Sequence, residues 1–186
     1  MQTTIGNTRL ILLCGDITEQ ETDAIVNAAN PGLMGGGGVD SAIHRKGGPD
    51  ILNECKTIRK RYPDGLPAGQ AVITKGGALK AKKVIHTVGP VWHGGNKSEP
   101  QLLADAYKNS LKVAIENGIK TISFPSISTG AYGYPVEKAS VVAVNAVIGF
   151  LEEFSCIEEV RFILHSSHDL AVHERALTGI TRKTRK

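Results

Sequence analysis

Cysteine is scarce in this 186-residue chain: Cys14, Cys55 and Cys156 are the only three, and they lie far apart. An odd, dispersed set makes neither a disulfide framework nor a metal-ligand cluster, and reads as reduced intracellular thiols. Long hydrophobic runs are absent as well. No apolar stretch approaches the ~20 residues that span a bilayer, so no membrane role is expected. Met1-Gln2-Thr3-Thr4-Ile5 has no basic segment leading into a long apolar core, so no secretory signal is expected and the location is read as cytoplasmic. Several chemical signatures are also missing. His165, His168 and His173 fit neither His-Glu-x-x-His nor another metal-ligand spacing. Gly-x-Ser-x-Gly does not occur, which removes a nucleophile elbow. No Gly-Lys-Ser/Thr follows the glycine run, which removes a Walker A loop. Asp40 stands where a dinucleotide fingerprint counted from Gly35 needs glycine.

What is present describes an ordinary globular chain. Hydrophobic residues make up 41% and charged residues 22%, which rules out a disordered or fibrous class. The length suits one domain with a substantial core. The net charge of +4 invites a nucleic-acid partner, but Arg182, Lys183, Arg185 and Lys186 crowd the last six residues. With those four set aside, 18 basic residues face 18 acidic ones. A neutral body argues against nucleic acid and leaves weak phosphate contact through the tail, or a merely solvated terminus. Residues 1–180 are therefore expected to form a single domain and residues 181–186 a basic tail.

Strand-like apolar runs alternate with helical patterns. Arg9–Cys14, Ala24–Val26, Ala71–Thr74, Val84–Val88, Thr121–Phe124 and Val160–Leu164 read as strands, and their continuous apolarity implies a sheet covered on both faces. Val39–Lys46 and Pro49–Arg59 read as a helix pair. A helix over Glu99–Asn117 places Leu102, Ala106, Val113 and Ala114 on one stripe and stops at Gly118. Pro135 opens another helix and Asp169–Leu177 makes a short last one. This order predicts a three-layer α/β/α domain around a central mixed, mostly parallel sheet of about six strands. Ligands of such sheets bind outside the carboxyl ends of strands. The unusual residues fall there: Asp16-Ile17, Asn30–Asp40 and Ser126–Tyr134. Gly94–Pro100 reads as a surface loop.

Gly35–Gly38 is costly to order and suits a place where something approaches the backbone closely. Amides without a Cβ beside them, leading into the positive end of a helix, favour an anionic ligand such as a pyrophosphate. A flexible loop is the alternative, although Leu33-Met34 and Val39 flank the run tightly. Ser126–Pro135 offers hydroxyls, close backbone at Gly130 and Gly133, and the aromatic edge of Tyr132. It reads as a second anion cradle or as a plain strand-to-helix loop. Asp40 begins a helix, where a carboxylate can cap free N–H groups. Such bonds weaken a carboxylate as a base, which leaves water orientation and proton abstraction both open for it. His44, at i+4, could share a helix face with Asp40 and reads as a packing or supporting residue before a catalytic one, since spacing alone does not establish a catalytic contact. His86 is expected in the core with a hydrogen-bonded nitrogen.

Taken in order, Gly15-Asp16-Ile17-Thr18, Asp23–Asn30, Gly35–Asp40 with Ala42-Ile43-His44, and Ile127–Pro135 resemble a macro domain. The resemblance is nearest to the MacroD-type branch that includes the bacterial O-acetyl-ADP-ribose deacetylases and ADP-ribosyl hydrolases, and it runs from about Arg9 to Leu177. Four ordered motifs are specific where any one alone is weak. The resemblance implies an ADP-ribose cleft. Asp16 would accept from the adenine amino group and the Ile17 N–H would meet the ring. Asn30 would hold the distal ribose hydroxyls. Gly38 and Val39 would cradle one phosphate, and Ser128, Thr129, Gly130, Ala131 and Tyr132 the other phosphate and the distal ribose. Asp40 would orient or deprotonate the attacking water, with Asn30 as its catalytic companion. An ionised carboxylate accepts only, which suits an amine, and a carboxamide both donates and accepts, which suits a diol. His165 stands where relatives often carry Tyr or Phe and is expected to pack on adenine. Ser41 replaces a usual glycine, and Lys46-Gly47 a usual Ala-Ala pair. The implied activity is hydrolysis of ADP-ribose esters, either O-acetyl-ADP-ribose or mono-ADP-ribose on Asp and Glu side chains. ADP-ribosylated proteins are partners in the second case, and no metal or other cofactor is implied. A non-catalytic ADP-ribose reader with the same cleft is the alternative.

Overall fold

Successive side chains of the central strands pass to opposite faces, and both faces are apolar. The computed structural model describes residues 1–184. Its strands are β1 Gln2–Ile5, β2 Thr8–Cys14, β3 Ala24–Ala29, β4 Ala71–Lys75, β5 Lys83–Val88, β6 Thr121–Phe124 and β7 Glu159–Leu164. Its helices are α1 Gly38–Gly47, α2 Pro49–Arg59, α3 Glu99–Glu116, α4 Val136–Glu153 and α5 Ser167–Thr184. The sheet order is β1-β2-β7-β6-β3-β5-β4. Strands β2 through β5 in that order are parallel, and the edge strands β1 and β4 are antiparallel to their neighbours.

Alternation divides the core in two. Ala24 and Val26 join a cluster with α3, α4 and α5, whereas Ile25 and Ala29 face α1 and α2 with Ile43, Ile51 and Cys55. In the larger cluster, the Tyr107 ring centroid lies 5.2 Å from that of Phe124 and 5.8 Å from that of Phe162.

The three-layer α/β/α architecture is the one predicted, with seven strands where about six were expected. The addition is β1, whose residues alternate between exposed and half-buried, so no apolar run marks it. Strand β3 continues past Val26 to Ala29 because Asn27, though polar, is fully buried within it. Helix α5 is also longer than Asp169–Leu177 and runs past residue 180 to Thr184. Of the expected tail, Arg185 and Lys186 lie outside the described residues. No helix among the described residues is long and apolar enough to cross a membrane.

This topology sets the carboxyl ends of β2, β7, β6 and β3 side by side, so the loops that follow them meet along one edge. Phe162 anchors the centre of the sheet beneath that edge and is fully buried. Phe162→Ala is expected to lower stability by about 3–5 kcal/mol, read as a shifted urea midpoint at unchanged slope.

Candidate functional site

The first loop is held at both ends by asparagine. Asn30, at the end of β3, donates from Nδ2 to Gly35 O at 2.9 Å, and its Oδ1 accepts from Leu33 N at 3.2 Å. Each side-chain atom therefore keeps some capacity for a ligand, but part of the amide expected to hold a ribose diol is engaged by its own loop. Leu33 has a left-handed backbone, φ 59°, which is unusual for a branched apolar residue. Burial of its side chain offsets that cost.

Two loop glycines, like Gly149 and Gly179 inside helices α4 and α5, are not required as glycine by the protein's own packing. Gly37 has an ordinary φ of −99°, and a Cβ there would meet nothing within 4 Å. Gly130 has no positive φ and equally open space. In the loops, such open backbone leaves room for a ligand to approach closely. The amides of Gly35, Gly36 and Gly37, and those of Ser128 through Tyr132, find no acceptor among the described residues. Gly36 differs, because a Cβ there would lie 2.9 Å from Asp40 Oδ2 and 3.0 Å from Asn30 Nδ2. The two side chains expected to act on water thus converge on one point.

Asp40 does not cap its helix. Helix α1 begins at Gly38, with Gly37 as the cap residue and no side-chain cap bond, so Asp40 lies inside the first turn. Its Oδ1 instead accepts from Asn27 Nδ2 at 2.7 Å. His44 Nε2 lies 3.3 Å from the same oxygen but is not aligned for a hydrogen bond. Oδ2 is buried and has no protein partner. A buried carboxylate oxygen left unpaired is costly, and this one faces Gly36 and Asn30.

The second loop follows β6. Ser128 is buried at φ 68°, and its Oγ has no protein partner. Gly89 makes room beneath it, since a Cβ there would come within 2.1 Å of Ser128 Oγ. Tyr107 clamps the loop from α3, its hydroxyl donating to Pro125 O at 3.3 Å and accepting from Ile127 N at 3.1 Å. Burial raises the Tyr107 phenol pKa, which keeps the donor protonated. Thr129 Oγ1 donates to Ser126 Oγ at 2.9 Å, so its hydroxyl is engaged inside the loop. Burial and then the Asp40 charge raise the Tyr132 phenol, which places the second loop within the field of Asp40.

The segment between β5 and α3, read from sequence as a plain surface loop over Gly94–Pro100, supports that second loop. Trp92 N donates to Tyr132 O at 2.9 Å, and the Trp92 and Tyr134 ring centroids are 4.4 Å apart. Glu99 organises the segment, accepting from the backbone N–H of His93 at 2.9 Å, of Gly95 at 3.1 Å and of Lys97. Burial alone would raise its carboxyl pKa, but these backbone bonds prevail and hold it at about 2.

At the other end, Asp16 is exposed and Ile17 buried. Asp16 Oδ1 accepts from Thr18 Oγ1 at 2.7 Å and from Thr18 N at 2.8 Å. The side-chain bond from Thr18 is the main cause holding its carboxyl below the usual range, with Lys46 and His165 adding charge attraction. His165 is exposed at the end of β7, which pairs with β2 up to Cys14↔Leu164, so both groups emerge from adjacent strands. Lys46 forms an ion pair with Glu19 beside Asp16. Gly47 accommodates Ile51, whose Cδ1 a Cβ would approach to 2.1 Å, and its carbonyl accepts from Ala78 N at 2.9 Å. An alanine at this position would displace the end of the Ile51 side chain.

Ligand atoms of His44, Cys55 and His86 lie within 4.8 Å of one another, a grouping able in principle to hold a metal. Burial, followed by the charges of Asp40 and Glu54, pushes the Cys55 thiol up to about 12, and both His86 nitrogens have partners in Asn27 and Thr74. Both His86 nitrogens are thus already committed.

A family model described as "Macro domain" matches residues 26–143. The chain belongs to the macro domain family. A macro domain-containing protein of Caldanaerobacter subterraneus subsp. tengcongensis is 57% identical over 90% of this chain and 95% of its own length. An O-acetyl-ADP-ribose deacetylase of Citrobacter rodentium is 51% identical over 92% and 97%. The Oceanobacillus iheyensis macrodomain, solved with ADP, superposes with a TM-score of 0.95 at 40% identity, over 98% of this chain and 97% of that one. In this macro domain, sequence reasoning singled out residues in the loops after β2, β3 and β6 but passed over the supporting set of Asn27, Thr74, Trp92 and Glu99. A polar Asn27 inside an apolar strand was the available signal.

Glu99 carries a pH dependence. Its folded pKa lies below the ordinary 4.5, so its stabilisation is complete above that value and is lost as pH falls toward 2. Fluorescence of Trp92, the sole tryptophan, is expected to report loosening of this segment in that window. In Glu99→Gln the change in that window is expected to disappear.

Proposed function

We propose that this macro domain binds ADP-ribose along the edge formed by β2, β7, β6 and β3 and hydrolyses ester conjugates of it. The observation that carries the hydrolytic part is Asp40 Oδ2, buried without a protein partner and sharing one point in space with Asn30 Nδ2. A surface that only bound ADP-ribose has no need of a desolvated carboxylate oxygen there.

In this reading Asp16 and the Ile17 N–H take the adenine, with His165 against the ring. Gly38 and Val39 take one phosphate. Ser128, Thr129, Gly130, Ala131 and Tyr132 take the other phosphate and the distal ribose, through amides that have no protein acceptor. Water held between Asp40 Oδ2 and Asn30 attacks the acyl carbon of O-acetyl-ADP-ribose. The new bond joins water oxygen to that carbon, the bond to the ribose oxygen breaks, and Asp40 takes a proton from the water and passes it to the departing ribose oxygen. Acetate and ADP-ribose leave. Distant adenosine contacts hold the ester beside its water, and that placement lowers the barrier. Mono-ADP-ribosyl esters of Asp and Glu present the same distal ribose, so ADP-ribosylated proteins belong to the same substrate class. The reading includes a cytoplasmic setting, which suits three free thiols. It takes residues 1–180 as the functional unit and 181–186 as a basic tail with at most weak nucleic-acid contact.

The test is release of ADP-ribose from O-acetyl-ADP-ribose, with ADP-ribose affinity measured by calorimetry. Turnover is expected; binding without turnover would establish a reader instead. Asp40→Asn keeps an acceptor for Asn27 and is expected to cut kcat on the order of 10²-fold or more while leaving the ADP-ribose Kd nearly unchanged. Gly36→Ala places its methyl between Asp40 Oδ2 and Asn30 Nδ2. It is expected to lower kcat roughly 10²-fold with little change in thermal midpoint, as measured by circular dichroism.

A further inference from the structure

Behind Asp40 runs a line of buried polar side chains that the hydrolytic reading does not explain. Asn27 on β3, His86 on β5 and Thr74 on β4 lie on three neighbouring strands, and Asn27 and His86 are direct cross-strand partners. Two-residue alternation puts all three on the face that Ile25, Val84 and Val72 pack beneath α1 and α2. Asn27 and His86 are completely buried and Thr74 nearly so. Apolar residues would fill these positions at lower desolvation cost.

The hydrogen bonds permit one arrangement of protons. Asn27 Nδ2 has two hydrogens; one goes to Asp40 Oδ1 at 2.7 Å and the other to His86 Nδ1 at 3.1 Å. His86 Nδ1 must therefore be the bare, accepting nitrogen. Nε2 then carries the ring proton and donates to Thr74 Oγ1 at 2.9 Å, while the Thr74 hydroxyl donates to Lys75 O at 3.0 Å. Cys55 Sγ lies 3.8 Å from Nε2, a secondary contact. The groups around the ring come from several neighbouring elements: His44 from α1, Cys55 from α2, Thr74 from β4 and Asn27 from β3, with Asp40 of α1 reached through Asn27. Burial, and after it His44, lowers the His86 pKa to about 3, so the ring stays neutral across the working range.

The alternative tautomer would undo this order. A proton on Nδ1 would face the Asn27 NH2 group. Turning the carboxamide over would then set Asn27 Oδ1 against the Asp40 carboxylate, acceptor against acceptor. The tautomer of His86 thus decides which end of Asn27 meets Asp40.

We infer that His86 is a positioning residue for hydrolysis: held by Thr74 as the Nε2–H tautomer, it fixes the Asn27 carboxamide, which pins Asp40 Oδ1 and leaves Oδ2 turned toward Asn30 and Gly36. This rests on the hydrolytic reading of Asp40.

The test compares wild type, His86→Phe, His86→Asn and Thr74→Val in the deacetylase assay and in ADP-ribose calorimetry. His86→Phe keeps the ring volume but removes the acceptor, and is expected to lower kcat on the order of 10- to 100-fold with Kd within about twofold. His86→Asn returns an acceptor near the Nδ1 position and is expected to recover part of that loss. Thr74→Val, which tests the same chain if His86→Phe does not fold, is expected to lower kcat in the same way by freeing the tautomer. In wild type, 15N spectra are expected to show a protonated Nε2 and a bare Nδ1 on His86 from pH 5 to 8. A protonated Nδ1, an unchanged kcat in His86→Phe or Thr74→Val, or a Kd that rises in step with the loss of kcat overturns the positioning role alone. Absence of wild-type turnover overturns the hydrolytic reading, and the positioning role with it.

Discussion

The hydrogen bond from Asn27 to Asp40 joins the middle of the sheet to the first turn of α1. It is short, buried and charge-assisted, a type worth about 1.5–3 kcal/mol net. Its structural effect exceeds that figure. The chain leaves β3 at Asn30 and must return at Asp40, and this bond fixes the return point. The glycine run between them is thereby a closed loop with a defined path, and its amides need not pair within the protein. A generic flexible linker has no such constraint at its ends.

The second loop reaches the same condition by other means. Tyr107 grips its backbone from α3, Gly89 clears space beneath Ser128, and Trp92 ties down Tyr132. Both loops share one device, a buried non-glycine residue in the left-handed region: Leu33 in the first and Ser128 in the second. Such residues persist only where their surroundings over-determine them. The local strain is the counterpart of amides directed away from the protein, and both recur where an anion has to be met by backbone.

Legibility from sequence varied with the kind of interaction. The six strands with apolar runs and helices α1 to α4 were readable, because burial of a repeating face leaves a periodic mark, whereas α5 runs well beyond its expected ends. Strand β1 left none, since its residues are only half buried. The loops that carry Asp16, Asn30 to Asp40 and Ser128 to Tyr132 were readable as motifs. How each side chain divides its bonds was not. Helix capping, one reading open for Asp40, does not occur, and the carboxylate accepts from Asn27; Thr129 and Asn30 use part of their capacity within their own loops. The role of Glu99 depends on three amides gathered by a turn, and no spacing rule announces that.

Local sequence determined the layers of this protein, the places where its backbone lies bare and the identity of the groups beside them. Those properties follow from side-chain size, periodicity and the freedom of glycine, which act over a few residues. Only the tertiary structure decided which polar atoms hold the fold and which stay free for a substrate. A side chain has a fixed number of donors and acceptors, and whether they are filled depends on partners brought from distant strands. Asn27, His86 and Thr74 meet because β3, β5 and β4 pair, and that pairing leaves Asp40 with one oxygen bound and the other open.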